Sequence, residues 1–192
     1  MSMGKLKLNG TKIMNKAMFF SKSVCLFAVV FFVCGTPFAT AQQQKDKDAI
    51  HTVLNNWHKA AAEANYKDYF SLMTDDAVFI GTDATENWDK KAFQAYAKPH
   101  FDKGKAWSFT PLERHLFFDK TGTTAWFDEL LDTQMKICRG SGVLVKVNNQ
   151  WQIQHYVLSM TIPNENSSKV IELKAASESV IIDKLKAQGM KN

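Results

Sequence analysis

An α+β fold, with helices packed on one side of a curved antiparallel sheet, follows from two patterns in this sequence. Between residues 49 and 103, apolar side chains recur at spacings of three and four, interrupted by one strand-like stretch. After Gly104 the character changes to β-branched and aromatic runs separated by Asn-, Asp- and Gly-containing turns, the mark of an antiparallel meander. Residues from Ser167 onward return to helical spacing.

The elements follow in order. Residues 1–41 read as a secretory signal peptide. Lys5, Lys7, Lys12, Lys16 and Lys22 lead into an apolar run from Val24 to Val33, and Ala39-Thr40-Ala41 supplies the small-residue exit. The apolar run is shorter than the roughly 20 residues needed to span a bilayer. Cleavage after Ala41 removes every lysine behind the formal charge of +5, leaving 19 basic against 19 acidic residues. A neutral chain with no basic, aromatic-interleaved cluster gives no reason to expect a nucleic-acid partner. Cys138 is then the one cysteine left, so the mature chain has no internal disulfide and its stability rests on a core.

"QQQKDKD", residues 42–48, reads as a polar leader. Ile50, Val53, Leu54, Trp57, Ala60, Ala61 and Ala64 mark an amphipathic helix that breaks at Asn65. Tyr66, Tyr69, Phe70 and Met73 mark a second, shorter one. A strand from Ala77 to Gly81 follows. Asn87 or Asp89 caps a third helix with Phe93, Tyr96 and Ala97 inward, ended or kinked by Pro99. The strands of the meander are read as 106–112, 114–118, 123–132, 137–147 and 151–161. The turns "DKTG" and "VNNQ" offer residues that tolerate positive φ. The closing helix, in an extension spanning 164–192, carries Val170, Leu173, Val180 and Ile181 on one side.

Four segments in this order, "GTDATENW" (81–88), "AWFDELL" (125–131), "CRGSGVLVKV" (138–147) and "WQIQHYVLS" (151–159), resemble a SnoaL-like domain of the nuclear transport factor 2-like (NTF2-like) superfamily over residues 49–163. The resemblance implies a cone-shaped curved antiparallel sheet wrapped around three N-terminal helices, with a pocket open at one end. It also implies dimerisation through the outer sheet face, so a homodimer is expected. Some members of the superfamily are isomerases, cyclases or dehydratases and many others only bind ligands or assemble subunits, so function has to come from the site.

The candidate site residues are few. His155 lies between Ile153 and Val157 on the face expected to be buried, where it would hold a ligand or move a proton near neutral pH. The alternative is a histidine tucked under the helices on a backbone carbonyl or hydroxyl. Asp128 and Glu129 sit mid-strand, and alternation sends one of them inward whichever register holds. An inward carboxylate needs a partner, and Arg139 on the next strand is the expected one. The sharper possibility is a carboxylate acting as general base beside His155. Trp57, Tyr69, Trp88 and Trp126, with Arg139 and His155, are the candidate ligand-binding set, because aromatic walls suit a flat or greasy molecule. Asp83 and Glu86 read as turn and capping groups. His51 and His58 stand two helical turns apart, about 10 Å, too far to share an ion, so no metal site is expected and no cofactor is called for.

The resulting expectation is an exported domain, periplasmic or secreted and without a membrane anchor after cleavage, that binds a small, largely apolar molecule. The alternatives are an isomerase, cyclase or dehydratase built on Asp128 or Glu129 with His155, and an oligomeric assembly module.

Overall fold

A computed structural model describes residues 35–189, with side chains from residue 41 onward. The greater part of the expected signal peptide lies outside the described residues. The chain divides into two compact units, Met1–Gln44 and Lys45–Asn192, and the second holds the sheet and the site.

Helix α1 spans Gly35–Ala62 and α2 spans Tyr66–Ser71. Strand β1 (Met73–Ile80) and the short β2 (Asn87–Asp89) precede α3 (Lys90–Asp102). Four long strands follow: β3 (Thr110–Phe118), β4 (Thr124–Thr133), β5 (Lys136–Val147) and β6 (Gln150–Met160). A 3-10 turn, Asn164–Asn166, leads into α4 (Ser167–Gln188). The order across the sheet is β2-β1-β6-β5-β4-β3. The α+β class and the wrapped sheet stand as read, with one refinement: β1 joins β6 in parallel, so the sheet is mixed. The intervening helix and meander give the chain the length that a parallel crossover requires.

Local chemistry explains most boundaries. Ala64 adopts a left-handed conformation (φ 54°) that stops α1, and Asn65 caps α2 by accepting the Asp68 N–H. Asp89 caps α3 through the Ala92 N–H at 2.7 Å. Asn148 (φ 49°) and Asn149 (φ 62°) make the tight β5–β6 turn, and Gly122 (φ 69°) closes the β3–β4 loop. In that loop the Asp119 carboxylate gathers the N–H groups of Thr121, Thr123 and Thr124, which holds its pKa down at about 2, the Thr121 side chain contributing most.

Four elements differ from the sequence reading. The "polar leader" is helical and tied to the sheet, where Asp46 takes a hydrogen bond from Trp151 Nε1 at 3.0 Å and an ion pair from Lys146 at 2.8 Å. Helix α3 runs through Pro99 to Asp102, with Phe101 buried near its end. The strand expected at 106–112 starts only at Thr110 and runs on to Phe118, with an irregularity between Pro111 and Glu113. Strand β1 begins four residues early, at Met73.

The core is aromatic. Trp57 stacks on Tyr69 at 4.8 Å between ring centres and meets Tyr156 edge-on at 4.7 Å. Ile50, Leu54, Met73, Leu144 and Ile153 fill the space around them. Rings at these separations gain about 0.5–1.5 kcal/mol per pair beyond simple burial.

Candidate functional site

A β-bulge decides which side chains of the last strand face inward. Leu144 pairs with Ile153 and Val143 with His155, so Gln154 is an extra residue on β6. Alternation restarts there: Trp151 and Ile153 are buried, and after the bulge Tyr156 and Leu158 take over. His155 is thereby turned to the outer sheet face, half-buried, in a cross-strand row with Val143, Trp126 and Phe117. Tyr156 occupies the interior place expected of the histidine.

The two neighbouring carboxylates split as alternation requires. Asp128 points outward and pairs with His115 Nδ1 at 2.9 Å. The hydrogen bond and charge of Asp128, with Glu113 on the other side at 3.1 Å, raise the pKa of the exposed His115. Glu129 points inward and is fully buried. Its partner is Arg114, directly opposite on β3, and Arg139 instead stands exposed opposite Leu130 on the outer face.

Glu129 organises a buried polar network. Its Oε1 accepts from His58 Nε2 at 2.8 Å and from Tyr156 Oη at 3.0 Å. Its Oε2 accepts from both Arg114 Nε at 2.9 Å and Nη2 at 2.6 Å, two charge-assisted bonds converging on one oxygen. Arg114 Nη1 continues to Asn55 Oδ1 at 3.0 Å and lies 3.3 Å from His51 Nδ1. Burial opposes ionisation of Glu129, but the hydrogen bond and charge of His58, with Arg114, outweigh it and hold its pKa below the ordinary carboxylate value. Burial, and then the charge of Glu129, push the Tyr156 phenol well above its usual range. His51 is lowered by burial and by Arg114. With four donors on its two oxygens, Glu129 is an anchored anion rather than a free base.

An aromatic cleft lies elsewhere. A cleft of about 180 Å³ opens between α3, the loop after β1 and the β4–β5 turn. Its walls are Phe79, Trp88, Phe93, Tyr96, Trp107 and Phe109, with Thr82, Glu86 and Gln134 supplying polar groups. Several rings are close to parallel: Phe79 on Phe93 at 4.0 Å and 11°, Trp88 on Tyr96 at 4.5 Å and 23°, Phe93 on Trp107 at 5.9 Å and 22°. The Glu86 carboxylate packs so tightly on Gly81 that a Cβ there would lie 2.1 Å from Oε2, and the same oxygen accepts the Asp83 N–H. Asp83 holds Thr85 through both its N–H and its hydroxyl, so both acids build the loop.

Of the expected ligand set, Trp88 lines this cleft. Trp57 and Tyr69 are one ring deeper, behind Phe79 and Trp107. Among the described residues, their Nε1 and Oη are buried without a partner of good hydrogen-bond geometry. Trp126, 46% exposed, stacks on Phe117 on the outer face with Arg139 and His155. Asp128 and His155 therefore do not converge with Glu129, and the proposed carboxylate–His155 pair is not assembled. The His58 ring sits 6.0 Å from that of Phe109, which separates it from the cleft.

A family model for the SnoaL-like domain matches residues 50–163, more than half of the chain. The chain belongs to the SnoaL-like family. This SnoaL-like domain also matches solved NTF2-like structures. An NTF2-like protein of Pseudomonas putida KT2440 is 17% identical with a TM-score of 0.52, over 66% of this chain and 92% of that one. A candidate dehydratase of the NTF2-like family from Streptomyces avermitilis is 10% identical with a TM-score of 0.55, over 63% and 99%. A candidate scytalone dehydratase of Novosphingobium aromaticivorans is 13% identical with a TM-score of 0.55, over 64% and 89%. At such identities the likeness establishes the fold and not the chemistry. No curated protein matches the sequence.

Proposed function

We propose that this SnoaL-like domain is an exported binding protein for a small, flat, largely apolar molecule held in the aromatic cleft. The observation that carries this reading is the set of near-parallel rings lining a cleft of about 180 Å³. A dry cavity of about 150 Å³ suffices for benzene, so the slot suits a ligand of roughly one ring. Glu86, Thr82 and Gln134 give a polar edge for a single hydroxyl or amide. Export rests on the basic, apolar, Ala-x-Ala pattern of residues 5–41.

Titrating phenol and toluene while following tryptophan fluorescence tests the reading. Trp88 and Trp107 should report saturable binding, and Trp88→Ala should weaken it about tenfold or more, as expected for loss of a wall ring. No saturable response, or a response untouched by Trp88→Ala, overturns it.

Proton-transfer chemistry is the second reading, and one observation favours it: a buried histidine and carboxylate in contact, His58 with Glu129. The two Arg114 bonds to Glu129 and the intervening Phe109 argue that this pair pins β3 to β4 and α1 rather than meeting a substrate.

A further inference from the structure

Helix α4 is 22 residues long, or about 33 Å, yet none of its residues is buried. Its contacts are made chiefly with the 3-10 turn that introduces it. Most helical stability in proteins comes from packing a face rather than from propensity, so a helix so exposed gains from a partner. Large apolar side chains stay open to solvent along it, Leu173 at 76% and Val180 at 70% on one flank and Ile171 at 64%, Leu185 at 55% and Ile182 at 46% on the other.

At 100° per residue, Val170, Ile171, Lys174, Glu178, Ile181 and Ile182 share one side of the helix. The order along that side is nearly a mirror about Ala176: apolar pair, lysine, glutamate, apolar pair. In an antiparallel pair centred on Ala176, Ile171 lies opposite the partner's Ile181 and Val170 opposite the partner's Ile182. Lys174 then lies opposite the partner's Glu178, and the two-fold repeats each contact. Parallel pairing would set lysine against lysine and glutamate against glutamate. Within one helix Lys174 and Glu178 already pair at 2.7 Å, so the antiparallel arrangement closes a four-charge ring flanked by isoleucines.

We propose that α4 is a self-association surface whose partner is the antiparallel α4 of a second copy of this chain. The interface is isologous and closes at two subunits. It leaves the aromatic cleft untouched, so it stands or falls independently of ligand binding.

Sedimentation equilibrium on the full chain tests it. The wild type should self-associate in a concentration-dependent manner. Lys174→Glu and Glu178→Lys should each raise the dissociation constant about tenfold or more, and the double variant should restore most of it. Because α4 contributes nothing to the core, thermal melting of each variant should confirm intact folding. A wild type that stays monomeric overturns the proposal. So does association that neither single reversal weakens, or that Trp126→Asp on the outer sheet face abolishes while Lys174→Glu does not.

Discussion

Replacing Glu129 with glutamine leaves the Arg114 guanidinium buried without its counter-charge. Breaking such a pair costs about 3–5 kcal/mol, which a denaturant titration of Glu129→Gln should register. The same carboxylate has a pH signature. Its folded pKa lies below the ordinary 4.5, so its contribution is full above that value and is lost as pH falls through it toward the folded pKa. The variant should therefore show a flatter stability profile on the acid side. Two histidines should separate in an NMR titration. His115, held by Asp128, should titrate above the ordinary 6.5, and His51, lowered by burial and Arg114, should titrate below it. Asp128→Asn should bring His115 back down and leave His51 where it was. That one of residues 128 and 129 must point inward was legible in the sequence, since alternation alone decides it. Its partner was legible only in part. Counting back across the "DKTG" loop from the Phe118–Ala125 pair places Arg114 opposite Glu129, whereas Arg139 across the next turn falls opposite Leu130.

At the scale of elements, β5 and β6 are fitted to one another by glycines. A Cβ on Gly142 would lie 2.2 Å from the His155 carbonyl oxygen and 2.9 Å from Phe127 Cε1. The first contact is backbone, in a strand held on both sides, so Gly142→Ala should cost at the upper end of about 1–3 kcal/mol in thermal or chemical melting. The helix stripes and the meander were readable because periodicity reports burial directly. The bulge at Gln154 was not, because inserting one residue into a strand leaves no compositional trace and yet reverses every face after it. His155 was assigned to the interior by unbroken alternation, and the bulge is why Tyr156 stands there instead. Which rings wall the expected aromatic pocket, beyond Trp88, was hidden for a related reason: they come from β1, β2, α3 and the segment before β3, and only tertiary packing brings them together.

At the scale of the molecule, α4 and the core should be separable. Truncation after Asn166 should leave the melting temperature of the dilute protein and the fluorescence response to phenol unchanged, since no residue of α4 is buried. The opposite end of the chain behaves differently. Asp46 is the fifth residue after the expected cleavage point, and its carboxylate already grips Trp151 Nε1 and Lys146 at the tip of the last hairpin. Lys146 in turn lies over the Trp151 ring at 4.9 Å. An exopeptidase nibbling inward from the amino terminus thus meets resistance within a handful of residues, because the next cut severs a clasp on the sheet. One aspartate sets how far the amino-terminal end can be trimmed before the sheet loses a tie.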